Sequence, residues 1–203
     1  MTRLPVLAGI VALLALPVLA QPASSTRPVR IAGIVERLEG NALTINTKDG
    51  QRVGVTLSDD AAVYGIEKRT VADIKTGDFL ASGGIRDPDG EIHAVEVRIF
   101  PEALRGRGEG QRPWDREPDG IMTNATVGTV TQTPKGGVIH VTYKDGESDY
   151  IVGPDIPILA YVAADRDLLK LGTSVVLSAQ KSADGTLTAR RVTAEKSGVK
   201  PPM

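Results

Sequence analysis

A pattern of about 70 residues occurs twice in this chain, once over residues 29–100 and again over residues 125–196. Three landmarks carry the match. Lys48-Asp49-Gly50 corresponds to Lys144-Asp145-Gly146 at an offset of 96, and Lys75-Thr76-Gly77 to Lys170-Leu171-Gly172 at an offset of 95. Asp89-Gly90, followed by Ala94 and Val97, corresponds to Asp184-Gly185, followed by Ala189 and Val192, again at 95. Asp-Gly turns are common and any one match would mean little, but three matches in one order are hard to obtain by chance. The chain is therefore expected to contain two like units. About 70 residues is near the lower limit for an independent core, so the units should pack on each other. With no cysteine anywhere in the chain, the fold must rest on ordinary apolar burial.

Each unit carries strand signals. In the first, short Val/Ile/Leu/Thr runs separated by Gly and Asp turns predict strands at 29–38, 42–47, 51–57, 78–85 and 91–100. Val53, Val55 and Leu57 alternate with Arg52, Gly54 and Thr56, as a half-buried strand requires. Lys48-Asp49-Gly50 closes a hairpin, because Gly adopts the positive φ of such turns. The period changes over 70–77, where Thr70 as N-cap, Asp73 in the first turn and Gly77 as stop predict one short helix. The second unit keeps the order, with strands near 125–132, 138–143, 148–152, 174–180 and 186–194 and a helical turn around 166–170. Three strands, a small helix and two strands is the order of the OB-fold, a five-stranded, partly open barrel. The expected fold is all-β: two tandem OB-like five-stranded small barrels, each with a short helix between its third and fourth strands. A generic five-stranded roll or sandwich is the alternative.

The motif set Gly33-x-Val35, Asn41-Ala42-Leu43-Thr44-Ile45, Lys48-Asp49-Gly50, Asp73-Ile74-Lys75-Thr76-Gly77-Asp78 and Asp89-Gly90 resembles the exported bacterial family known as domain of unknown function 5666. The resemblance implies an OB-like module present as two tandem copies, the second a weaker match. The segment from Phe100 through Trp114 to Thr126 is similar to that of proteobacterial two-repeat proteins, some of which bear a metal transporter permease label. A single apolar segment does not suit a permease. The family implies no catalytic residues.

Residues 1–20 read as a secretory signal peptide: Arg3, then an uncharged, mostly apolar run from Leu4 to Ala20 ending Val18-Leu19-Ala20. The run contains Pro5 and Pro17 and is short for a bilayer span. Cleavage after Ala20 is expected, with retention as an anchor the alternative. Residues 21–28 form a Pro/Ser/Thr-rich tether, and residues 197–203 a tail. The protein is thus expected to be periplasmic or secreted, without stable membrane insertion once processed. Removal of Arg3 leaves 23 basic against 25 acidic residues, a balance that offers nucleic acid no long-range attraction. The chain also has few aromatics for base stacking.

The connector over residues 101–124 holds the only tryptophan, Trp114, with Arg105, Arg107, Arg112 and Arg116. Guanidinium forks beside an aromatic face suit an anionic ligand or a protein partner of the envelope. An ordered strap is the plainer reading, with Trp114 packed on a barrel and Glu109, Asp115, Glu117 and Asp119 neutralising the arginines locally. His93 and His140 are too few for a zinc site, and Asp87-Pro88-Asp89-Gly90-Glu91 reads as a hairpin turn rather than a calcium loop. No nucleophile elbow, phosphate loop or metal-binding helix motif is present. The sequence therefore predicts a non-catalytic binding or scaffolding protein with no cofactor, no metal and no catalytic residues. An accessory role in envelope metal or solute transport, or an enzyme acting on envelope polymers, are the alternatives.

Overall fold

The computed structural model describes residues 28–202. The expected signal peptide and nearly all of the tether lie outside the described residues. Twelve strands form a single hydrogen-bonded network: β1 (Val29–Glu39), β2 (Ala42–Thr47), β3 (Arg52–Arg69), β4 (Phe79–Arg86), β5 (Ile92–Phe100), β6 (Gly110–Trp114), β7 (Gly120–Thr133), β8 (Gly136–Tyr143), β9 (Gly146–Val152), β10 (Ile158–Ala164), β11 (Ser174–Lys181) and β12 (Leu187–Ala194). Among the described residues, no helix is long and apolar enough to cross a membrane.

The fold is all-β, and its central feature is an exchange of strands between the two halves of the chain. β1, β2 and β3 form an antiparallel meander in the first half. The strands that close it come from the second half. β11 pairs antiparallel with β1, β12 pairs with β11, and β12 runs parallel to β3, completing a closed five-stranded barrel. The reciprocal arrangement holds for β7, β8 and β9, which pair with β4 and β5 of the first half. This second ring closes through a short parallel contact, Ile92 with Tyr150 and His93 with Ile151.

The expectation that each unit closes its own barrel is corrected by this pairing. Its cause is the path of the chain after Leu57. Instead of turning back, β3 runs on to Arg69, and its second part pairs antiparallel with β10, from Val63 with Ala164 to Arg69 with Ile158. Ile66 faces Tyr161 at the middle of this ladder, and the two positions are 95 residues apart. The flanking parallel contacts recur at the same spacing. Val63 pairs with Val192 as Ile158 pairs with Val97; 158 lies 95 beyond 63, and 192 lies 95 beyond 97. The registers are those of a local twofold axis through the β3–β10 crossing.

Both apolar cores draw on both halves. One combines Val35, Leu43, Ile45 and Leu57 with Val175, Leu177 and Val192. The other combines Leu80, Ile92 and Val97 with Val127, Ile139, Val141 and Tyr150. Each such aliphatic contributes roughly 1.5–3 kcal/mol on burial, so neither half keeps its core without the other. Polar contacts add to the tie. Arg166, just after β10, donates to Asn41 Oδ1 at 2.6 Å and to the Ser58 carbonyl at 2.9 Å.

The predicted short helices are single 3-10 turns, over Val71–Asp73 and Arg166–Leu168. Thr70 does mark the start: its N–H and its hydroxyl both donate to the Asp73 carboxylate at 2.8 Å. Ile74 then returns to extended backbone (φ −81°, ψ 131°) and is buried in the second core, which ends the turn before a helix can develop.

Two predictions follow from these ties. A protease site placed at Gly106–Gly108 and cut should leave two fragments that elute together in native buffer and part only in denaturant. Separation in native buffer would contradict the exchange. The second concerns Glu67 on β3, whose carboxyl is held below its ordinary range by hydrogen bonds from Lys196 and Arg69. A depressed carboxyl contributes stability above the unfolded value of about 4.3 and loses it as pH falls through the lower folded value. The urea midpoint should therefore fall more steeply below about pH 4.3 in the wild type than in Glu67→Gln, as followed by Trp114 fluorescence. Parallel curves would deny Glu67 this role.

Candidate functional site

The outer surface beside the β3–β10 crossing is lined by arginines from several separate elements. Strand phase explains how β5 contributes. Opposite Gly83 and Gly84 of β4, β5 carries one extra residue, Val95, and the register shifts there. A bulge of this kind reverses which side chains face inward. Ile92 and Ala94 point to the core before it and Val97 after it, so Glu96, Arg98 and Phe100 share the outer face. β12 has a matching irregularity between Ala189 and Arg191, which brings Arg190 and Arg191 to the outside while Ala189 and Val192 stay buried. Arg30 on β1 alternates with buried Ile31.

The connector supplies the remaining side chains. After a 3-10 turn over Glu102–Leu104, with Leu104 buried, the backbone takes positive φ at Gly106, Gly108 and Gly110. This left-handed path suits glycine, and it carries the chain back as β6 beside β7. Asn124 Nδ2 donates to the Arg107 carbonyl at 2.8 Å. Arg112 donates to the Gly108 carbonyl at 3.0 Å and to Asn124 Oδ1 at 3.3 Å. Trp114 at the end of β6 is only 8% exposed and packs with Ala81 and Met122 on the outer side of the second ring. Gly83 makes room for it, because a Cβ there would lie 2.8 Å from the indole. Arg116 sits over the indole with its guanidinium carbon 5.6 Å from the ring centre, an attractive cation–π placement.

Three adjoining hollows result. The first, about 330 Å³, is lined by Arg30, Arg107, Arg190, Arg191 and Tyr161 together with Ser178, Thr188 and Thr193. A second, about 580 Å³, is lined by Arg30, Arg98, Arg112, Arg116 and Trp114 with Glu96 and Asp115. The third, about 290 Å³, lies between them with Arg107, Arg112, Arg191, Phe100, Tyr161 and Asn124. Phe79, Phe100 and Tyr161 stack beneath, with centroids 5.8 and 5.3 Å apart.

Charge in this basin is unevenly matched. Glu96, nearly buried, bridges Arg98 Nη2 at 2.5 Å and Arg116 Nη1 at 3.3 Å. The Arg98 contact is an ion pair without hydrogen-bond alignment, and buried Arg98 Nε has no partner among the described residues. Arg98 Nη1 also reaches the Tyr161 hydroxyl at 3.4 Å. Burial lowers the Arg98 pKa, but Tyr161 and Glu96 outweigh it and the net shift is upward. By contrast, Arg107, Arg112 and Arg191 have no carboxylate within ion-pair distance among the described residues, and Arg30, likewise without one there, donates to the Pro202 carbonyl at 2.8 Å. Burial, and then the neighbouring Arg98 and Arg116, push the Arg30 pKa down. Burial and then Arg107 do the same for Arg191. Arg30, Arg107 and Arg112 are nonetheless exposed and Arg191 is half-buried; all four stay charged at neutral pH, so the basin presents a solvent-accessible positive charge that an anion can match.

Of the residues singled out in the sequence, Arg107, Arg112, Trp114 and Arg116 meet in this basin. Arg105 does not line it: its guanidinium pairs with Glu102 at 2.7 Å and donates to the Gly77 carbonyl at 2.9 Å. The expected local neutralisers also differ. Glu109, Asp115, Glu117 and Asp119 form no ion pair with the connector arginines, whose acidic partners are Glu96 and Glu102. Arg30, Arg98, Arg190, Arg191 and Tyr161 went unnoticed in the sequence. The only available signal was the charged pair Arg190-Arg191 inside an otherwise alternating strand.

Away from the basin, Asp87, Glu91 and His93 place ligand atoms within 4.8 Å of one another. Turn chemistry accounts for the cluster: Asp87 accepts the Asp89 and Glu91 N–H groups at 3.0 and 2.9 Å and contacts His93 Nε2 at 3.0 Å. His140 likewise contacts Asp149 across the β8–β9 hairpin at 2.8 Å. Comparison with family models, with curated proteins and with solved structures finds no match to this chain.

Trp114→Ala should lower stability by about 2–4 kcal/mol, as befits a large aromatic packed on the outside of a sheet rather than at its centre. Gly83→Val should displace the indole, moving the fluorescence maximum to the red and opening it to iodide. An unchanged spectrum in Gly83→Val would mean that Trp114 does not lie on β4.

Proposed function

We propose that this protein is an exported, non-catalytic binding module of the bacterial cell envelope, in which two OB-like units exchange strands and hold an anionic ligand in the arginine basin. The observation that carries this reading is the set of guanidiniums Arg107, Arg112 and Arg191, with Arg30 beside them, gathered without carboxylate partners among the described residues next to three hollows. The hollows have the size of small-ligand sites, and arginine is the side chain suited to planar oxyanions. The apolar run of residues 4–20 supports export. The recurring registers support two units of common origin, and the order of strands around each ring, a three-stranded meander closed by a hairpin, supports the OB-like reading.

A binding role accords with the basin's chemistry. Its enclosed carboxylate, Glu96, is already engaged by Arg98 and Arg116. Neither histidine lines the three hollows. The Asp87–Glu91–His93 cluster favours a second reading, an accessory role in envelope metal handling, but its donors already serve the hairpin.

Thermal unfolding at low ionic strength tests the main reading. Millimolar sulfate or citrate should raise the wild-type midpoint by a few degrees through binding to the native state. The shift should vanish in Arg107→Gln/Arg191→Gln and persist in Arg105→Gln. Equal shifts in all three proteins would contradict an anion site in the basin. For the second reading, zinc titration of wild type and His93→Ala is decisive.

A further inference from the structure

We infer that the ligand is a chain carrying several oxyanion groups, so that one molecule spans more than one hollow. The inference rests on the anion-binding reading above and concerns how its charges are spaced. The hollows are joined rather than separate: the first and second share Arg30, the first and third share Arg107, Arg191 and Tyr161, and the second and third share Arg112. A water molecule takes about 30 Å³ of liquid, and a single phosphate or carboxylate group is only a few times larger. One such group leaves most of each hollow empty and most of the guanidiniums unmatched. A second group on the same chain reaches the neighbouring hollow at high effective concentration, which strengthens binding without any new kind of contact.

The basin already shows the pairing it favours. In the second hollow, the protein's own Glu96 carboxylate bridges two guanidiniums, Arg98 and Arg116. The first and third hollows offer comparable arginines with no carboxylate in their linings, and hydroxyl donors Tyr161 and Thr193 beside them. Oxyanion groups of a ligand supply there what Glu96 supplies within the fold. Phosphate and carboxylate share this recognition chemistry.

Single-stranded nucleic acid also presents a row of phosphates, but it gains affinity by stacking bases on free aromatic faces. The aromatics here are committed elsewhere. Trp114 lies against Gly83, and Phe79, Phe100 and Tyr161 stack with one another.

Isothermal titration of the full processed chain with orthophosphate, tripolyphosphate, tetragalacturonate and oligothymidylate tests this. Tripolyphosphate or tetragalacturonate should bind at least about tenfold more tightly than orthophosphate, and the tighter of the two identifies the phosphate or the carboxylate source. Arg107→Gln/Arg191→Gln should weaken that ligand at least about tenfold with an unchanged Trp114 spectrum, and Arg30→Gln serves as a second variant if the double one misfolds. Arg105→Gln should bind as wild type. Orthophosphate and the longer anions binding equally, with loss in the basin variants, would overturn the inference and leave the anion site standing. Binding that ignores every basin substitution would remove both. Oligothymidylate outcompeting the other chains would overturn the inference in favour of nucleic acid.

Discussion

The antiparallel ladder between Val63–Arg69 and Ile158–Ala164 is the constraint on which the rest of this structure depends. It carries the chain out of one ring and into the other, so that β4 and β5 are delivered to β7–β9 while β11 and β12 return to β1–β3. Were β3 to end at Leu57 and turn back, each half would have to complete a core from about 70 residues, near the lower limit for independent folding. The crossing avoids that limit. It joins two small cores through shared backbone, and the cost of opening either one includes disrupting the other.

The crossing also assembles the basin. Arg30 belongs to β1, Arg98 to β5, Arg191 to β12 and Tyr161 to β10, while Arg107 and Arg112 lie between β5 and β7. These elements are far apart in the chain and become neighbours where the two rings meet. The bulge at Val95 and the irregularity before Arg191 then turn the charged residues outward together. The two positions following those irregularities carry opposite charges, Glu96 and Arg191. One is matched within the fold and the other is not, which leaves one side of an otherwise symmetric surface open to an anion.

Much of the local structure was legible in the sequence. Leu43 and Ile45, and Val53, Val55 and Leu57, alternate with polar neighbours, and the side chains of Leu43, Ile45, Val55 and Leu57 are buried as that period demands. Gly50 and Gly90 take the positive φ that their turns require. The partnership of strands was not legible, for a physical reason: β4–β5 and β11–β12 present similar alternation, and either pair offers an acceptable edge to either meander. The clue lay in what the pattern left unassigned. The predicted strands leave residues 58–69 and 158–164 without an element, and Asp59-Asp60 and Gly65 in the one, with Pro154 and Pro157 just before the other, resemble loop chemistry. Both segments are strands, and they are the crossing. In the connector, the cluster of Arg107, Arg112, Trp114 and Arg116 was visible as composition, but its partners on β1, β5, β10 and β12 depended on the unforeseen pairing.

Cysteine pairs introduced into this cysteine-free chain measure the exchange directly. Thr56 lies beside Thr188 of the other half in the parallel β3–β12 contact, and the position corresponding to Thr188 in its own half is His93. Neighbouring strand positions fall within the Cα separation of about 4.4–6.8 Å that a disulfide spans. On mild oxidation, Thr56→Cys/Thr188→Cys should form an intramolecular disulfide in the folded monomer, whereas Thr56→Cys/His93→Cys should stay reduced. A disulfide in the second pair and none in the first would show that each half closes on itself, and would contradict the account.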